Sequence, residues 1–197
     1  MSLMKSLKTH FEKKPAGGST PHSHLQEVFP SLNEAAGDFL RLFSDQDFKG
    51  DLALAAEMAG LKLLRSSGVD LSRHTPGHAL LGAVPDEAYK QMQRFMYSWY
   101  LSNGIPVESL HDVQLPKEDK ACIPQIVLLE PAFDSICQKH GVQPADTPYA
   151  AALAAFKLVA AGRRSQLMDP REAQYLAYYH IVAASKIVPH LFPDGAG

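Results

Sequence analysis

Cysteine is nearly missing from this chain. Two residues in 197, Cys122 and Cys137, cannot build a disulfide scaffold. On one unbroken helix they would stand about 22 Å apart, far beyond bonding reach. We read both as small buried hydrophobes in a reducing, cytoplasmic setting. With no C-x-x-C pair, structural zinc and thioredoxin-type redox chemistry lack their ligands. Charge is scarce too: 19 basic and 21 acidic residues make up 20% of the chain and leave a formal net charge of −2, where an average globular protein carries about 25%. That balance excludes a strongly basic nucleic-acid binder, and the pair Arg163-Arg164, after a helix end, is explained by the helix dipole. No apolar run reaches the ~18 residues of a membrane span. The longest weakly polar stretch, 147–162, is interrupted by Lys157 and as a helix would measure about 24 Å against a hydrocarbon core of ~30 Å. The first residues lack the apolar stretch and small-residue cleavage site of a secretory signal, in keeping with a cytoplasmic protein.

Catalytic signatures are missing one by one. The sequence has no G-x-S-x-G elbow, no H-E-x-x-H zinc helix, no Walker loop and no G-x-G-x-x-G fingerprint. A di-iron bundle needs two Glu-x-x-His units and two further inward glutamates. One such unit exists, Glu108 to His111, between Pro106 and Pro116, and we read it as coincidence. Strand signals are equally thin: β-branched residues never cluster, and Asn103-Gly104 follows a helical pattern instead of joining two alternating runs.

What remains is helical. Hydrophobic residues reach 46%, and a chain of this length buries roughly 70% of its unfolded surface. We therefore expect an all-α, single-domain, irregular or orthogonal bundle of about seven or eight helices. Three units are expected along the chain: an amphipathic arm over 1–14, a flexible linker over 15–24 and the helical domain over 25–197. In the arm, Leu3, Met4, Leu7 and Phe11 share one stripe while Lys5, Lys8, Glu12 and Lys13 lie off it. Pro15 to His24 is rich in Pro, Gly and Ser, as linkers are. Residues 1–24 carry four lysines and one glutamate, and the remainder 15 basic and 20 acidic residues, so a basic arm precedes an acidic body.

In the body, Ser31-Leu32-Asn33-Glu34 reads as a capping box opening a helix to about Phe43. Asp47 or Asp51 opens the next, to Gly68, with Ala53, Ala56 and Gly60 as a small-residue strip for close packing. Asp86 to Asn103 is the best-defined helix. Ala88, Tyr89, Met92, Phe95, Met96, Trp99 and Tyr100 share one face, and Glu87, Lys90, Arg94 and Ser98 the other. Pro124 and Pro131 predict two shorter segments with a kink or break near Glu130. Thr147-Pro148 and Asp169-Pro170 both read as N-cap plus first-turn proline, opening helices of about 15 and 19 residues.

Four sets of residues could carry function. Leu3, Met4, Leu7 and Phe11 must dock somewhere, because a 13-residue helix is not stable alone in water. The choices are the chain's own bundle, a second copy, another protein or an anionic membrane surface. Trp99 and Tyr100, with Met92 and Met96, either line a ligand cavity or form plain core. His180 falls on the apolar face of its helix near Tyr175, Tyr178 and Tyr179. It is either a core histidine bonded to a Tyr hydroxyl or carbonyl, or a pocket histidine. His74 and His78 lie in the long connector before Pro85, as surface residues or at the mouth of such a pocket; as metal ligands they would need a third partner such as His111 or Asp112.

These readings favour a non-catalytic helical interaction protein, meaning an adaptor, chaperone-like partner or regulatory subunit. It would need no cofactor or metal and no nucleic acid, and would meet a protein partner or its own copy through the arm. The alternative is a bundle that binds a small molecule or metal, possibly as an enzyme, near Trp99, Tyr100, Tyr179, His180, His74 and His78.

Overall fold

Alanine dominates the helix around which the others gather. In Thr147–Arg164 the alanines at 150, 151, 152, 154, 155 and 160 are all buried, with Leu153, Phe156 and Val159 between them. Side chains this small let neighbouring helices come close. The computed structural model describes residues 21–43, 48–68, 86–105, 123–169, 171–174 and 177. In chain order the helices are α1 (Pro21–Leu40), α2 (Phe48–Ser66), α3 (Asp86–Ser102), α4 (Ile123–Lys139) and α5 (Thr147–Arg164), with a 3-10 turn, Pro144–Asp146, leading into α5. Residues 171–174 and 177 are helical as well, and no strand occurs among the described residues. The fold is all-α. No helix among these residues is long and apolar enough to cross a membrane.

α5 touches each of the other four helices, and its most extensive contact is with α2. The small-residue strip explains that preference: Ala53, Ala56 and Gly60 are buried, together with Ala55 and Ala59. α1 packs against α5 and α4; its buried residues are Leu32, Ala35, Ala36 and Phe39, and Phe39 meets Phe133 of α4 edge-on at 4.6 Å between ring centroids.

Two helices run through prolines at places where the sequence reading sets a capping box (after Pro30) or a kink or break (at Pro131). α1 starts at Pro21 and not at Ser31, so Pro30 lies inside it and Glu34 caps nothing. The stretch 15–24, read as a linker, overlaps α1 over Pro21 to His24. α4 is likewise continuous from Ile123 to Lys139 with Pro131 inside and no break near Glu130. The physical reason is the face on which the prolines sit. Pro30 and Pro131 are exposed, and the carbonyl that Pro30 leaves without a donor belongs to Gln26, also exposed, where water can serve it.

Three of the C-terminal ends share one design. In α3, the amide of Gly104 donates to the Leu101 carbonyl at 3.1 Å and that of Ile105 to Tyr100 at 2.9 Å, with Gly104 at φ +64°. This is a Schellman ending, and Ile105 is buried behind it. α4 repeats it with Gly141 and Val142, and α5 with Gln166 and Leu167. Gln166 is the one non-glycine at positive φ among the described residues (φ +59°). The start of α5 departs from expectation: Thr147 lies inside the helix and its hydroxyl donates to the Pro144 carbonyl at 2.9 Å. Asp169 caps as expected, its Oδ1 accepting from the amides of Arg171 (2.7 Å) and Glu172 (3.3 Å).

Candidate functional site

α3 presents its aromatic face to α5. Met92, Phe95, Met96 and Tyr100 are buried, while Tyr89 and Trp99 sit half-buried at the edge. Phe156 stands at the centre, with ring centroids 5.1 Å from Tyr100, 5.5 Å from Trp99 and 5.9 Å from Phe95. Phe95 also meets Tyr149 edge-on at 5.2 Å. Trp99 and Tyr100 are thus brought together, and they belong to the apolar core. Burial pushes both phenols up: Tyr149 to about 12, and Tyr100 well above the usual range. Tyr149 donates to Gln91 Oε1 at 3.3 Å. The Tyr100 hydroxyl, in a side chain only 3% exposed, has no hydrogen-bond partner among the described residues.

The other candidates, Leu3, Met4, Leu7, Phe11, His74, His78, Tyr179 and His180, lie outside the described residues, as do His111, Asp112 and Cys122. The helix that would carry Tyr179 and His180 is described at 171–174 and 177, where Ala173 and Ala177 are buried.

Two polar clusters went unnoticed at the level of sequence. The first joins α2 to α4. Lys62, 4% exposed, reaches Glu130 Oε1 and Asp134 Oδ1, each at 2.6 Å. Arg65 grips Glu130 with two bonds, 2.5 Å from Nε and 2.8 Å from the terminal nitrogen. Burial alone would raise the Glu130 carboxyl, but the bonds from Arg65 and Lys62 outweigh it and hold it below the ordinary range. Two cations thus face two carboxylates. The Lys62 ammonium also lies 5.9 Å from the centre of the Phe133 ring. One signal was available: an isolated cation in the apolar run Leu61 to Leu64, and an isolated carboxylate in Ile126 to Phe133.

The second cluster fastens α1. Asp38 accepts from Lys139 Nζ at 2.8 Å, pairs with Arg41 and faces His140 Nε2 at 2.8 Å. Its hydrogen bonds to Lys139 and His140 lower its carboxyl to about 2. His24 pairs with the buried Asp146 at 3.0 Å near the other end of α1. Elsewhere, Arg163 donates to the Gly104 carbonyl at 3.0 Å, so it ties the end of α3 to α5 as well as sitting at the dipole's negative end.

The chemistry on offer is limited. The Cys137 thiol is pushed up to about 12 by burial and the Asp134 carboxylate, which keeps it protonated at neutral pH and poorly nucleophilic. No group of three or more His, Cys, Asp or Glu among the described residues could hold a metal ion. No protein-family model, no curated protein and no solved structure matches this chain.

Proposed function

We propose that the protein is a non-catalytic, cytoplasmic helical interaction protein that meets its partner, or a second copy of itself, through the amphipathic arm. One observation carries this reading. The residues with the most pocket character, Trp99 and Tyr100, are packed ring against ring on Phe156, which leaves little room for a ligand there. The polar clusters point the same way, because their charges are paired with each other and hold helices together. In this reading the segment opened by Asp169 completes the bundle and the arm adds one more helix, for seven in all, within the seven or eight expected. Its basic face suits an acidic protein surface better than nucleic acid.

The test is removal of residues 1–20, which leaves α1 whole. Light scattering should show a smaller assembly, or a defined partner's affinity should fall at least tenfold, with the helical circular dichroism of the body retained. Unchanged mass together with unchanged affinity rejects the arm.

A second reading rests on the Tyr100 hydroxyl, since a buried phenol without a partner is costly. A small molecule offering one acceptor would satisfy it, in a site that Trp99, Tyr179, His180, His74 and His78 would complete. A thermal-shift screen of metabolites and metal ions separates the readings, because a ligand specific to the native state raises the melting temperature.

A further inference from the structure

His140 closes α4, one residue before the positive-φ Gly141. Its side chain is 14% exposed and stands between two carboxylates of α1: Nδ1 is 3.2 Å from Glu34 Oε2, and Nε2 is 2.8 Å from Asp38 Oδ2. An ionised carboxylate only accepts hydrogen bonds, whereas a neutral imidazole has one N–H and one bare nitrogen. A neutral ring therefore satisfies one contact and sets a lone pair against an oxygen at the other. The imidazolium, with both nitrogens protonated, satisfies both. We propose that His140 is a proton-operated latch: protonated, it bridges Glu34 and Asp38 and holds the C-terminal half of α1 on α4; deprotonated, it releases one carboxylate and that half of α1 loosens.

The surrounding charges set the balance. From α1, Glu34 and Asp38 favour the proton, while Arg41, paired with Asp38, opposes it. From α4, Lys139 also binds Asp38 and opposes it. On α5 the nearest cation in these contacts is Lys157, whose Nζ lies 3.3 Å from the carbonyl of Asn33, the residue before Glu34. The other end of α1 differs. There His24 Nε2 faces both oxygens of Asp146, at 3.1 and 3.0 Å, and a single N–H serves that arrangement in either charge state. In this geometry only the doubly protonated ring completes both contacts, so the latch holds on the acid side and slackens on the basic side.

Hydrogen exchange of the full chain, followed by mass spectrometry at pH 6 and pH 8 and corrected for intrinsic rates, tests this. Peptides from residues 33–42 should exchange about fivefold faster, relative to peptides from α2, at the higher pH. In His140→Gln the ratio should be the same at both pH values. Glu34→Gln should also remove most of the difference, because a glutamine amide can serve the ring in either state. Equal protection of the unaltered protein at both pH values overturns the latch, as does persistence of the full difference in His140→Gln. If that variant does not fold, the exposed Glu34→Gln decides alone: a full pH effect there also overturns it.

Discussion

Gln166 holds a backbone conformation that α3 and α4 give to glycine. All three helices end in the same pair of hydrogen bonds, yet only α5 asks a residue with a Cβ to sit at φ +59°. The left-handed conformation costs such a residue about 1–2 kcal/mol, part of which glycine returns through its greater freedom in the unfolded chain. Gln166→Gly should therefore stabilise the protein by about 0.5 kcal/mol in urea denaturation, whereas Gly141→Ala should cost about 1 kcal/mol. Asp38 makes a second prediction at this scale. Its folded carboxyl sits at about 2, below its ordinary value of 3.8, so its contribution is present above about pH 4 and is lost as pH falls toward 2. Urea midpoints measured from pH 5 down to 2 should fall less steeply in Asp38→Asn than in the unaltered chain.

Between elements, the α2–α4 cluster is where one substitution does most harm. Glu130→Leu leaves Lys62 deep in the core with Asp134 as its remaining carboxylate, and removing one partner of a buried pair costs about 3–5 kcal/mol. Adding Lys62→Met should recover most of that loss, because Arg65 and Asp134 both reach solvent and can stay hydrated there. A urea double-mutant cycle measures the recovery; if the double variant is as unstable as Glu130→Leu, the pair is not what the substitution damages. This contact was illegible in advance because its partners lie 68 residues apart, and an isolated charge in an apolar run does not name its mate. α2 and α3 were legible because periodic apolar residues, first-turn acidic residues and glycine stops agreed; α5 was legible from its long apolar run, although its first turn and its ending differ from expectation. α1 was misread because a capping-box pattern was taken as a helix start, and α4 because Pro131 was taken as a break regardless of face. The period Leu25, Val28, Leu32 already runs through Pro30, and weighing it would have placed that proline on the solvent side. The pairing of His140 with Glu34 and Asp38 was hidden for the same reason as the ion cluster: it exists only once α1 lies on α4.

For the whole molecule, α5 is the element against which α1, α2, α3 and α4 all rest, and Phe156 is its largest fully buried side chain. Phe156 also separates the two readings of the aromatic face. If Trp99 and Tyr100 are core, Phe156→Ala removes the ring on which both rest and leaves a cavity, at a cost of about 3–5 kcal/mol. If they line a working ligand site, the same change enlarges a space that already exists, and the loss should be nearer 1–2 kcal/mol because less packing is forfeited. Trp99, the single tryptophan, reports the event directly: its emission should shift to longer wavelength, and its unfolding transition should coincide with loss of helical circular dichroism, since α3 has no separate core to retain. We expect the larger loss and coincident transitions. A small loss, with the melting temperature of Phe156→Ala raised by an apolar aromatic compound that leaves the unaltered protein unmoved, would mark ordinary cavity binding. The same compound raising the unaltered protein as well would transfer the aromatic face from the core to a binding site, and the interaction reading would lose the observation on which it stands.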